Sequence, residues 1–217
     1  HFIAYPNKGQ WESNIQYRAS IRAGALFFEH NSLAIQLSAP EDLQHHPLSN
    51  KAIRMHGIKI QYIGAMDEAH ISAGETSGSP VNYFIGQNSQ KWRSGIEGTN
   101  QLTYHDLYPG IDLIWNEKDG HLKYTAEVEK AQDYTQFQWI YTGADSVSLL
   151  PNGNIAIYTS VRTIFESRPV VWQWVQGEKK ICDARFQLQG DTLSFLIDYI
   201  LPDGPLTIDP TLIFSTY

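Results

Sequence analysis

The stretch IDLIWNEKDGHLKYTAEV, residues 111–128, contains two alternating runs, Ile111–Trp115 and Leu122–Val128, set about the dipeptide Asp119-Gly120. Asp-Gly tolerates the positive φ angles of a two-residue hairpin turn, and such a turn fixes the pairing register. Trp115 then faces Tyr124, Leu113 faces Ala126, and Ile111 faces Val128, all on one side. Asp112 and Glu127 fall together on the other. A slip of one residue would send the apolar set to solvent, so the agreement across the pair argues for this register.

The same grammar recurs. Val147–Leu150 and Ile155–Tyr158 flank Asn152-Gly153. Trp172–Val175 returns through Gly177-Glu178 to Lys180–Ala184, with Trp172 and Trp174 sharing one face and reading as packing. Arg185–Leu188 returns through Gly190-Asp191 to Leu193–Ile197, which matches Leu188 to Leu193 and Phe186 to Phe195. Arg54–Ile63 reads as a strand, as does Leu26–Leu37 with a break near His30-Asn31. Helical signals are confined to Ala131–Phe137 and Glu41–His46, neither of which sustains a 3.6-residue stripe. Ser72–Pro80 and Pro40–Asn50 read as loops. Many short strands joined by Gly, Asn and Asp turns predict an all-β, mostly antiparallel β-sandwich, either one large sandwich or two joined ones, with at most short helices. Residues 1–217 are read as a single β module, with a subdomain boundary left open within 131–145.

Composition narrows the function classes. Hydrophobic residues make up 42% and charged residues 18%, the profile of a folded domain. The formal net charge of −7, with no Lys/Arg cluster beyond Lys179-Lys180, argues against nucleic acid and against anionic membrane surfaces. No run approaches a membrane span, so no membrane insertion is expected. The abrupt opening at His1-Phe2-Ile3-Ala4 fits a processed or trimmed chain. Cys182 is the single cysteine, which rules out an intramolecular disulfide and reads as a buried or strand-face thiol.

No catalytic set emerges. The eight histidines include the adjacent pair His45-His46, while His30, His56, His70, His105 and His121 are scattered, without the spacing of a zinc site. The sequence therefore implies neither a metal nor a cofactor. Asp112 and Glu127 are cross-hairpin neighbours that a glycosidase could use, but a solvated face with Lys123 and Thr125 nearby accounts for them equally. Nucleophile elbows and phosphate loops are missing from the sequence. Exposed aromatics could stack on sugar rings. Among Trp11, Trp92, Tyr104, Tyr108, Trp139, Trp172 and Trp174, the ligand-binding candidates taken forward are Trp92, Trp11 and Tyr108.

Several stretches carry a resemblance. Asn7-Lys8-Gly9-Gln10-Trp11 is followed by Gly24-Ala25-Leu26-Phe27-Phe28 and by Asn82-Tyr83-Phe84-Ile85-Gly86 with Trp92. Leu107-Tyr108-Pro109-Gly110-Ile111-Asp112-Leu113, Leu122-Lys123-Tyr124 and Tyr141-Thr142-Gly143-Ala144-Asp145 come next. Pro205-Leu206-Thr207-Ile208-Asp209-Pro210 and Phe214-Ser215-Thr216-Tyr217 close the chain. In this order they resemble the N-terminal domain of large exported Bacteroidetes-type surface proteins. There the domain precedes β-propeller repeats of the SBBP type and gliding-motility or type IX secretion sorting domains.

The resemblance implies a secreted or cell-surface address, downstream domains of the same polypeptide as partners, and a non-catalytic adhesion, scaffold or display role. An extracellular glycan or protein would be the ligand. Carbohydrate binding is the alternative reading, and glycoside hydrolysis a more distant one. No catalytic residue is implied. Asn7, Lys8, Gly9, Gln10, Gly86, Pro109, Gly110, Asp112, Lys123, Asp209 and Pro210 are motif residues with structural explanations. Pro109-Gly110 suits a turn, Asn7, Lys8 and Gln10 suit hydrogen bonds to sheet-edge groups that anchor the N-terminus, and Asp209-Pro210 suits the end of the last strand.

Overall fold

A computed structural model describes residues 2–22, 24–43 and 52–214. The pair His45-His46 and the ending Ser215–Tyr217 lie outside the described residues. In chain order the strands are β1 (Ala4–Pro6), β2 (Ile15–Ile21), β3 (Gly24–Glu29), β4 (Ser32–Ser38), β5 (Met55–Tyr62), β6 (His70–Ala73) and β7 (Thr76–Tyr83). Then come β8 (Arg93–Thr99), β9 (Gln101–Tyr108), β10 (Ile111–Lys118), β11 (His121–Val128), β12 (Trp139–Thr142), β13 (Ser146–Leu149) and β14 (Ile155–Tyr158). Last are β15 (Thr163–Glu166), β16 (Val170–Val175), β17 (Glu178–Gln189), β18 (Thr192–Asp198), β19 (Leu206–Asp209) and β20 (Thr211–Phe214). The described helical pieces are short: α1 (Pro40–Leu43) and two 3₁₀ turns, Ser89–Lys91 and Ala131–Gln136.

All pairings are antiparallel. One sheet runs β7-β8-β1-β2-β3-β4-β5-β12-β18-β17. The other starts β6-β9-β10-β11. There β11 meets two half-strands end to end, β19 opposite residues 126–128 and β20 opposite residues 122–123. Beyond β19 lie β16 and β17, and beyond β20 lie β15, β14 and β13. Strand β17 belongs to both sheets: its residues up to Cys182 pair with β16, and those from Asp183 pair with β18.

The hairpin at 111–128 has the expected register throughout, from Ile111 opposite Val128 to Lys118 opposite His121. Asp119 and Gly120 both take positive φ, 54° and 77°, as a type I′ turn requires. Leu188 opposite Leu193 and Phe186 opposite Phe195 are likewise as expected. The hairpin around Asn152-Gly153 carries one more loop residue than a two-residue turn. Leu150 N–H donates to Asn154 O, and Gly153 N–H donates to Leu150 O, so Pro151-Asn152-Gly153 forms a type I turn with a glycine bulge. The next turn is also moved by one: Gln176-Gly177, at φ 54° and 82°, joins Val175 to Glu178, in place of Gly177-Glu178.

Two readings are corrected. Ser72–Pro80 is not a loop, because it supplies the end of β6 and most of β7. Gly78 within it serves packing: a Cβ there, like one on Gly98 of the neighbouring β8, would fall within 2.5 Å of the Ile3 side chain. Pro80 is tolerated because β7 is an edge strand, where a missing N–H breaks no ladder. Nor does Asp209-Pro210 end the final strand. Pro210 interrupts it opposite the middle of β11, and β20 resumes the pairing.

Between the sheets lies an aromatic core. Phe28 meets Trp115 edge-on at 6.0 Å and Tyr62 meets Tyr104 at 6.3 Å, each contact crossing from one sheet to the other. Phe137 packs against Trp139 at 5.3 Å and Phe195 at 5.6 Å, and lies 6.2 Å from Tyr124. One apolar cluster runs from Phe2 to Leu212 and includes residues on both sides of 131–145. Large aromatic side chains that interlock across the layer account for much of its stability.

Candidate binding cleft on the outer face of a sheet

The outward face of β9, β10, β11 and β19 carries mostly the polar half of each alternation, and β16 adds Trp172 and Trp174 to it. A bulge shapes one end. Between β9 and β10 the register shifts around Asp112, and Asp106 adopts left-handed backbone at φ 47°. Asp112 stabilises that backbone: its Oδ1 accepts the Asp106 N–H at 2.8 Å, while Asp106 Oδ1 accepts the Gly110 N–H at 3.1 Å. Pro109-Gly110 makes the turn, with Gly110 at φ 73°. Bulges of this kind re-aim side chains and are frequent beside functional sites.

A hydrogen-bonded relay crosses the same face. Ser72 Oγ lies 2.7 Å from His105 Nε2, and His105 Nδ1 lies 3.3 Å from Asp112 Oδ2. His70 stacks on His105 with centroids 5.8 Å apart. This is the constellation of a nucleophilic triad, but Ser72 stands in mid-strand, paired with Thr103, rather than on the strained turn that exposes such a serine. Among the described residues, no group of three or more His, Cys, Asp or Glu is placed to hold a metal ion.

Beside the relay is a cleft of about 550 Å3, within the range of small-molecule sites. Asp106, Asp112, Glu127 and Glu129 line it together with Trp174 and Thr207. Asp112 and Glu127 are direct cross-strand partners, as their hairpin register requires. Trp174 corrects the sequence reading that packed it inside: it is 58% exposed. Its strand buries Val171 and Gln173 instead, because these pair with Ile208 and Leu206, which face the core. Gln173 tolerates burial because its amide donates to Leu201 O and accepts from Leu201 N–H. Trp172, one step along the outer face, lies under the Lys179 ammonium, 3.7 Å from the ring centre.

Over residues 2–211 the sequence matches the model of a family described as a domain of unknown function, DUF7948. The chain belongs to the DUF7948 family. No curated protein and no solved structure matches it.

In this DUF7948 domain the three aromatic candidates separate. Tyr108 is a core residue, 2% exposed, whose hydroxyl donates to Gln138 O at 2.7 Å, so it has no face for a ligand. Trp92 is 43% exposed; its indole N–H donates to Gly86 O and its ring meets Phe84 at 5.5 Å. Trp11 is half-buried against Tyr83 at 5.0 Å. Both stand by the edge of the other sheet, remote in topology from the cleft.

Several of the motif residues hold backbone. Asn7 Nδ2 donates to Glu12 O and Ile15 O, and Asn7 Oδ1 accepts from Gly9 N–H, which folds residues 7–15 around one side chain. Gln10 accepts from Lys8 N–H and donates to Pro6 O. The Lys8 carbonyl receives Arg93 Nε–H at 2.5 Å. These bonds tie the loop to its own backbone and to the adjoining ends of β1, at Pro6, and β2, at Ile15. Lys123 and Asp209, from two separate motifs, form an ion pair at 2.6 Å, and Thr125 Oγ1 adds a bond to Asp209 at 3.3 Å. Cys182 is buried, and burial raises its thiol pKa away from the reactive thiolate.

Proposed function

We propose that this DUF7948 domain is a non-catalytic adhesion module of a larger, exported bacterial cell-surface protein, and that it holds a glycan in the cleft beside Trp174. The observation that carries this reading is an exposed indole, Trp174, that lines one open cleft together with four carboxylates. Sugar rings present an apolar C–H side that stacks on indole and hydroxyls that donate to carboxylate oxygens, so one cleft serves both. The resemblance to the N-terminal domain of Bacteroidetes-type surface proteins supports the address. It also makes downstream domains of the same polypeptide the natural neighbours.

The test is binding of the purified domain to a broad glycan array, with calcium and again with EDTA, alongside Trp174→Ala. A saturable hit that disappears in the variant supports the cleft. A hit that survives Trp174→Ala overturns it, and loss in EDTA would bring a cation into the site.

A second reading, hydrolysis, draws on the Ser72–His105–Asp112 relay and on the Asp112–Glu127 pair. It is favoured less, since these carboxylates lie on an open strand face and Asp112 is already engaged by Asp106. Turnover of chromogenic glycosides or acetyl esters that falls with Asp112→Asn, Glu127→Gln or Ser72→Ala would establish it.

A further inference from the structure

Deep between the sheets, Tyr62, Trp115, Tyr124, Trp139 and Tyr141 share the walls of a cavity with apolar Ile60 and Phe137. Its volume is about 10 Å3, and a single water needs roughly 10–15 Å3 together with two to four polar partners. Two polar atoms on the wall, Tyr62 Oη and Trp115 Nε1, are buried and make no hydrogen bond within the protein. They lie near each other without the geometry of a bond. Leaving both unsatisfied is costly, which is why buried polar groups nearly always find a partner. Two of the remaining polar walls are half-engaged: Tyr124 and Tyr141 both donate their hydroxyl protons to the carboxylate of Glu166, the latter at 2.8 Å. Each tyrosine oxygen therefore keeps at least one lone pair with which to accept, the Trp139 indole also approaching that of Tyr141.

We propose that this cavity binds one water molecule, which accepts protons from Trp115 Nε1–H and Tyr62 Oη–H and donates to Tyr124 and Tyr141. The assignment satisfies both orphaned groups, uses all four bonding directions of a water, and fits no larger ligand. It also joins five side chains from both sheets into one network ending on Glu166. A proton donor behind each tyrosine polarises the hydroxyl that faces the carboxylate.

The test is NMR cross-relaxation between water and the Trp115 indole proton in the intact domain, paired with a high-resolution crystal structure. A long-lived water contact at Trp115 Hε1, with density in the cavity, is expected. In Tyr62→Phe, which removes one donor and little volume, the contact should weaken. A Trp115 indole proton without any water contact, or one bonded directly to Tyr62 Oη, overturns the proposal, as does an unchanged signal in Tyr62→Phe.

Discussion

Lys123 and Asp209 stand 86 residues apart in the chain, yet ammonium and carboxylate meet at 2.6 Å. Their side chains are only 17% and 19% exposed, and they tie β11 to the end of β19 where Pro210 has no N–H to give the ladder. Partly buried pairs of this kind cost most when one member is removed alone.

Either Lys123→Met or Asp209→Asn should therefore destabilise the domain by about 2–3 kcal/mol, while the double variant should lose less than the sum. Urea unfolding of the four proteins closes the cycle. Additive losses would mean that the pair contributes little.

Glu166 should make stability fall as pH rises. It is fully buried, and burial pushes its pKa up from 4.5 to about 7 against the opposing pull of the tyrosine hydrogen bonds. Below about pH 4.5 the carboxyl is protonated in both folded and unfolded chains and costs nothing. Above about pH 7 it is ionised in both, and the folded state bears the whole cost of burial, about 3 kcal/mol. Thermal unfolding of wild type and Glu166→Gln across this window should therefore diverge, with the variant gaining on wild type as pH rises. Parallel curves would place the titration elsewhere.

Two glycine substitutions should differ sharply. Gly24 has φ 147°, and a Cβ there would lie 1.9 Å from the Gln36 carbonyl oxygen of the paired strand, so Gly24→Ala should cost about 3 kcal/mol or more. Gly177 sits in open space at φ 82°, and Gly177→Ala should cost only the backbone strain, about 1–2 kcal/mol. Comparable midpoints for the two variants in denaturant would contradict this ordering.

Trp174→Ala should leave stability within about 1 kcal/mol, because the ring is mostly in water. Trp92→Ala, at the other sheet's edge, should leave any glycan binding in the cleft intact. Loss of binding in Trp92→Ala with retention in Trp174→Ala would relocate the site.

The hairpins were legible because a two-residue turn couples neighbouring strands through local sequence alone. Asp119-Gly120 and Gly190-Asp191 fix their registers without help from the rest of the chain. Which face of a strand turns inward is a longer-range decision where both parities carry apolar residues. In Val170–Val175 either set could pack, and the choice was made by Leu206 and Ile208, partners that no local pattern connects to Gln173. The cleft was half-readable for the same reason: Asp112 and Glu127 share a hairpin, while Trp174 arrives through β19. The Ser72–His105–Asp112 relay needed the pairing of β6 with β9, and a serine-rich segment gave little sign of being a strand. The knot at Asn7 was visible as a motif, but its bonding pattern was not.

Strand β17 changes sheets between Cys182 and Asp183, and this has a mechanical consequence. Neither layer can peel away without breaking a chain segment's pairing with the other, so the domain should unfold as one cooperative unit. Tension applied to one layer passes through a continuous backbone into its counterpart.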